Sequence, residues 1–330
     1  MLQAGSLVED STRYLGRFLT TPLANPADQF SGPRRAYERF RTKEWVGFTL
    51  IHHEMAGSMI IQDAKYLTTG ELYIYDRAND TLNQYAAHKL LSKGHLPADL
   101  LHSRCTFVAS GFRLGYDFTE SSVTVFFDAP ASDSAPKIVG HLMLDTAQAS
   151  APLVVSAALP GGAMYTNKIV YPASGVIVCG DRRYNFDPSR DFAILDEHKS
   201  HLPYHADWTW GTFAMPVDAG IVGANFAARP ALPDQEEESC LWTPSGARPL
   251  RDITFSRDGD SAPWRAVSAD GRLDVVFEPQ GHKDDHLNLG LLSLEYSQWF
   301  GHYNGQVSDN GQMWRVEDVP GVCEIMHAKL

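Results

Sequence analysis

The sequence predicts an all-β protein of two antiparallel domains, each a β-barrel or β-sandwich, with a few short helices. Three observations carry this prediction. Period-two apolar runs meet at glycine-containing turns, aromatic residues reach 11%, and no long stretch keeps a helical period. At 330 residues the chain exceeds the usual size of one compact core, so two domains are expected, 1–165 and 166–330.

The hairpins are the most explicit elements. Gly175 to Phe186 reads GVIVCGDRRYNF and turns at Gly180-Asp181. Trp264 to Phe277 reads WRAVSADGRLDVVF and turns at Asp270-Gly271, and Gln306 to Val316 turns near Asn310-Gly311. In each, small or Asx residues supply the backbone angles of a tight reversal between two β-rich runs. Val123 to Phe127 and Trp45 to His52 are further strands, although Trp45, Phe48 and Leu50 fit no single alternation. Leu7 to Leu19 and Pro97 to Leu101 are the candidate short helices, and LPDQEEES from Leu232 to Ser239 reads as a solvated loop. The small-residue stretch SAPLVVSAALPGGAMYTN, from Ser150 to Asn167, suggests the domain junction.

Composition excludes several classes of function. A net charge of -12 disfavours nucleic acid and anionic membranes, both of which need clustered cations. No window has the roughly 18 apolar residues of a membrane span, and no signal-peptide pattern opens the chain, so a cytoplasmic protein is expected. Cys105, Cys179, Cys240 and Cys323 are far apart, which suggests reduced thiols rather than a zinc ribbon or a disulfide framework. GxSxG, GxxxxGK[ST] and GxGxxG patterns are missing.

Chemistry is concentrated in LDEHKSHLPYHADWTW, Leu195 to Trp210. Carboxylates and imidazoles are the usual proton carriers near neutral pH, and tryptophan walls raise a carboxyl pKa by lowering local polarity. Asp196 and His198 share one face of a regular strand while Glu197 faces the other. Trp208 and Trp210 read either as a substrate wall or as one core face of a strand. Asp196 could equally cap a turn, and His201 reads as a loop histidine. A metal on His198, His201, His205 and Asp207 would need a helix that Pro203 disturbs, and HExxH is absent, so no metal is expected. In a second cluster, HKDDH from His282 to His286 reads as an exposed loop. The following LNLGLLSLEYSQWFG could point Glu295 and Gln298 into a pocket, and His52-His53-Glu54 stays ambiguous.

The stretch YPASGVIVCGDRRYNFDPSRDFAILDEHKSHLPYHADWTWGTFA resembles the bacterial family known as domain of unknown function 2804. RTKEWVGFTLIHHEMAGSMIIQDAKYLTTGELYIYD from Arg41, MYTNK from Met164 and LNLGLLSLEYSQWFGHYNG from Leu287 agree with it, so the likeness runs from about Arg41 to the C-terminus. The central motif in turn looks like that of carotenoid 1,2-hydratases, AttH-like proteins, tocopherol cyclases and lipocalin-like Diels-Alderases. There a W-x-D-R-E-W run precedes G-W-D-W-F. Asp196 matches the central aspartate, and Trp208 and Trp210 match the paired tryptophans. The resemblance implies two lipocalin-like, calycin-type domains and a cofactor-free site for an apolar isoprenoid or polyketide. This chain departs from its nearer family where D-W-G-R-G and R-T-R-W-N-W are expected, and His205 and Asp207 replace two arginines.

The leading expectation is a cofactor-independent hydratase or cyclase. Asp196 is its general acid, His205 and Asp207 a relay or base pair, and Glu197 and His198 the reserve candidates. Trp208, Trp210, Tyr204, Glu295 and Gln298 would line the substrate site. The alternatives are a non-catalytic carrier of a hydrophobic ligand and a two-carboxylate hydrolase of glycosidic or acetal bonds pairing Asp196 with Asp207 or Glu295.

Overall fold

The structure is a computed structural model and describes residues 1–91, 96–259, 263–288, 290 and 293–329. It is nearly all β, with one nearly closed barrel-like sheet and one half-barrel sheet, as the alternation predicts. The chain divides by contact into two units, Met1–Ser156 with Met164–His201, and Ala157–Ala163 with Leu202–Leu330. A cut at 165/166 would separate strands that pair. Gly162–Cys179 is hydrogen-bonded to Phe192–Ser200, which pairs in turn with Lys43–Ile51.

In the first unit the main antiparallel path runs from Thr81–Leu90 through Lys43–Ile51, Phe192–Ser200 and Gly162–Cys179 to Arg104–Ala109. The strands alternate, and their inward residues, among them Phe48, Tyr116, Phe127, Leu142 and Leu195, fill the core. Each such side chain contributes roughly 1.5–3 kcal/mol on leaving water. Leu7, Val8 and Phe18 form a smaller cluster with Val154 and Tyr165.

The second unit orders its strands around His205–Val217, which lies between Gly220–Ala228 and Gln312–Lys329; Ser293–Asp309 and Leu273–Asn288 follow. Its core takes Phe213, Phe226, Phe277, Tyr303 and Cys323. The Asn310-Gly311 turn is where sequence dictates geometry most directly. Both central residues have positive φ, 49° and 80°, the pairing of a primed hairpin turn that Asn-Gly tolerates.

Four expectations need correction. Leu7 to Leu19 is not a helix; Val8–Glu9, Thr12–Arg13 and Gly16–Phe18 are short strands, separated where Asp10, Ser11 and Gly16 take positive φ. Pro97 to Leu101 is irregular, and the helix lies instead at Gly32–Arg41. HKDDH is not a loop, because its alternation continues the strand Leu273–Asn288. Glu238 and Ser239, at the end of the acidic run, are buried, with Glu238 paired to Arg229. Leu289, Leu291 and Leu292 of the alternating LNLGLL run lie outside the described residues. All four cysteines are buried and free, and no helix among the described residues is long and apolar enough to cross a membrane.

Candidate functional site

Register assembles the first unit's polar site. Phe192–Ser200 lies between two partners, and across them Asp196 stands opposite Lys168 and Gly47, while His198 stands opposite Thr166 and Trp45. Directly paired residues share a face, as do residues two apart on one strand. Lys168, Asp196, His198 and Trp45 therefore meet on one face. Lys168 Nζ donates to Asp196 Oδ1 at 2.8 Å, and His198 Nε2 is 3.3 Å from the same oxygen. Trp45 stacks on the His198 ring with centroids 4.3 Å apart.

The electrostatics of this face decide what Asp196 can do. Burial pushes its carboxyl up, but the charges of Lys168 and His198 and side-chain hydrogen bonds from Lys168 and Trp45 outweigh that, leaving it below the usual aspartate value. Asp196 is thus held as a carboxylate. An ionised group has no proton to give, so the role of general acid does not suit it; it is the charge partner of His198.

Glu197 points to the opposite, core-lining face beside Asn167, whose Nδ2 donates to it at 3.0 Å. Burial raises its carboxyl to about 7, against the lowering influence of the Lys199 charge and the Asn167 hydrogen bond. Lys199, on the same inner face, is itself held by the carbonyls of Leu96 and Pro97. Two neighbouring carboxyls are thereby driven apart in acidity by strand parity. His201, expected as a loop histidine, is buried, 2.8 Å from Thr42 Oγ1 and 3.1 Å from the Glu38 carbonyl.

In the second unit Trp208 and Trp210 lie on the face away from the apolar core, which takes the alternate residues Phe213 and Met215 of their strand. Both indoles are anchored. Trp208 Nε1 donates to Glu324 at 2.8 Å and Trp210 Nε1 to Asn225 at 2.8 Å. Glu324 also accepts from Tyr296 Oη at 2.9 Å and from buried Gln298 at 3.0 Å. The fixed acceptor holds three side chains in one arrangement, and sequence reasoning missed it because Glu324 adjoins none of them in the chain.

His205 and Asp207 do not form the expected pair. Both are exposed, and Asp207 is hydrogen-bonded to its cross-strand neighbour His327 at 2.8 Å. His205 instead lies edge-on to half-exposed Tyr204. His205, Asp207 and Trp208 line a pocket of about 60 Å³ with Pro203 and Arg229. That is far below the roughly 300 Å³ from which small-molecule sites begin. Glu295 is exposed, whereas Gln298 is buried, so the two do not share one pocket.

His52, His53 and Asp191, in the first unit, bring their ligand atoms within 4.8 Å of one another. The hydrogen bonds argue against a cation there. His52 Nδ1 accepts the Glu54 N–H, so the ring proton sits on Nε2, 3.3 Å from the Asn185 carbonyl. Neither nitrogen of His52 has a lone pair to spare.

The chain belongs to the family described as domain of unknown function (DUF2804), whose model matches residues 25–330. No curated protein sequence matches it. Among solved structures it is similar to CghA with Sch210972, at 12% identity over 88% of each chain and a TM-score of 0.57. It is also similar to kievitone hydratase from Nectria haematococca, at 11% identity over 86% of this chain and 88% of that one, with a TM-score of 0.52. A putative AttH from Nitrosomonas europaea aligns at 14% identity over 92% and 95%, with a TM-score of 0.42. The first two likenesses show a shared fold.

Proposed function

We propose that this DUF2804 protein is a cofactor-independent lyase or isomerase of the hydratase or cyclase kind, acting on an apolar small molecule such as an isoprenoid or polyketide. The observation that carries the reading is the Lys168–Asp196–His198–Trp45 constellation, drawn from three adjacent strands onto one face. His198 is the proton carrier. Asp196 orients the imidazole and stabilises its charged form, Lys168 keeps Asp196 ionised, and Trp45 supplies an apolar wall.

In a hydration, His198 takes a proton from water as the oxygen bonds to one alkene carbon, and returns a proton to the other. In a ring closure the same group moves a proton between substrate atoms. Neither reaction needs an oxidant or a reductant. The fold shared with kievitone hydratase supports the choice of reaction class as a fold-level analogy.

The test is incubation with pooled isoprenoids and polyketides in heavy water, read by mass spectrometry for deuterium at carbon. Incorporation by the wild type, lost in His198→Gln and retained in His53→Gln, is the expected result. A ligand retained unchanged through gel filtration, with no deuterium gained, would make the protein a carrier and reject the enzyme.

A further inference from the structure

The titratable residues that the proposed reaction leaves unused form a pattern of their own. Across four consecutive strands of the second unit, Asp207 pairs with His327, His327 with Glu295, and Glu295 with His286. Directly paired residues share a face with Cβ atoms about 5 Å apart. Asp207, His327, Glu295 and His286 therefore stand side by side in one row, all exposed. The row lies on the core-bearing face, at the end of strands whose alternate residues Ile325, Cys323 and Trp299 belong to the apolar cluster.

The hydrogen bond within the row sets the state of His327. Asp207, as a carboxylate, can only accept, so in the 2.8 Å contact the proton is on His327 Nδ1 and the lone pair of the neutral ring is on Nε2. A carboxylate holding one ring nitrogen so that the other is free to coordinate is the arrangement that supports metal-bound histidines. Glu295 and His286 have no side-chain partner among the described residues.

We infer that His327 Nε2, Glu295 and His286 form a binding site for a divalent transition-metal cation of the zinc type, with Asp207 orienting His327. Two imidazoles and one carboxylate, with water in the fourth position, suit that cation. The structure does not gather these ligand atoms around one point, so the exposed side chains have to turn about χ1 and χ2 to meet a cation above Glu295. The site is independent of the proposed proton-transfer face and uses none of its residues.

The test is zinc titration of the tag-free full chain against a chromophoric chelator, with cobalt absorption reporting coordination geometry. One cation per chain is expected, weakened at least tenfold by each of His327→Ala, His286→Ala and Glu295→Gln. Asp207→Asn weakens it within the 10–100-fold range typical of an orienting carboxylate. His53→Ala leaves it unchanged. No saturable zinc binding, or binding lost in His53→Ala and retained in the row variants, would overturn the site. Circular dichroism of each variant separates lost binding from lost folding.

Discussion

The two faces of the strand Phe192–Ser200 treat neighbouring carboxyls in opposite ways. On one, Asp196 is a quarter exposed and ion-paired to Lys168, and its acidity is strengthened. On the other, Glu197 is 1% exposed, faces the core, and is weakened to about 7. One residue of displacement separates a fixed anion from a proton reservoir. Strand parity, more than local composition, decides which acid can serve which chemistry.

The largest effect should come from breaking the outer face. His198→Gln and Asp196→Asn should each lower proton-transfer turnover by about 10²–10⁴-fold, the usual worth of a positioned acid–base group. Glu197→Gln should leave turnover within a few fold in the same deuterium assay. Equal losses in all three variants would dissolve the distinction between the faces.

Stability sharpens it next. Asp196→Ala strands the buried Lys168 ammonium, and removing one partner of a buried pair costs about 3–5 kcal/mol. Since Asp196 keeps some access to water, the lower end is expected, read as a shift in the urea midpoint.

The inner face should respond to pH with a definite sign. The Glu197 pKa rises from 4.5 in an open chain to about 7 when folded, so the folded state retains a proton that the unfolded state gives up. Its contribution is fully present below about pH 4.5 and is lost as the pH rises through 7. The shift corresponds to about 3 kcal/mol. Glu197→Gln should therefore be more stable than the wild type at pH 8 by about that amount and nearly equal to it at pH 4.5. For Asp196 the sign reverses: its stabilisation is present at neutral pH and is lost as acid protonates it.

The smallest effect concerns a single donor. Asn167→Leu removes the hydrogen bond that favours ionised Glu197, so the Glu197 pKa should climb further above 7, by about one unit for a net bond worth roughly 1–1.5 kcal/mol. Carboxyl carbon shifts in a pH series would register it.

The fold was legible wherever its determinants were local. The turns at Gly180 and Asn310-Gly311 and the strands they join follow from residues within a few positions of each other. The parity that puts Asp196 with His198, and Glu197 on the other side, is likewise a property of one strand. Lys168, Trp45 and Glu324 were not legible as site residues, because each reaches its partner through pairing with distant strands. MYTNK and RTKEW contained two of them, but only register shows which side chains meet. HKDDH misled because its charges suggested a loop, while the placement of His282, Asp284 and His286 on alternate positions already had the strand period.

The most direct test of the central claim is a carboxyl-carbon NMR titration, with Asp196→Asn and Glu197→Gln used to assign the two signals. One carboxyl should titrate below the usual aspartate value and the other near 7, each missing in the matching variant. Two ordinary titrations near 4, or a reversed assignment, would contradict the account.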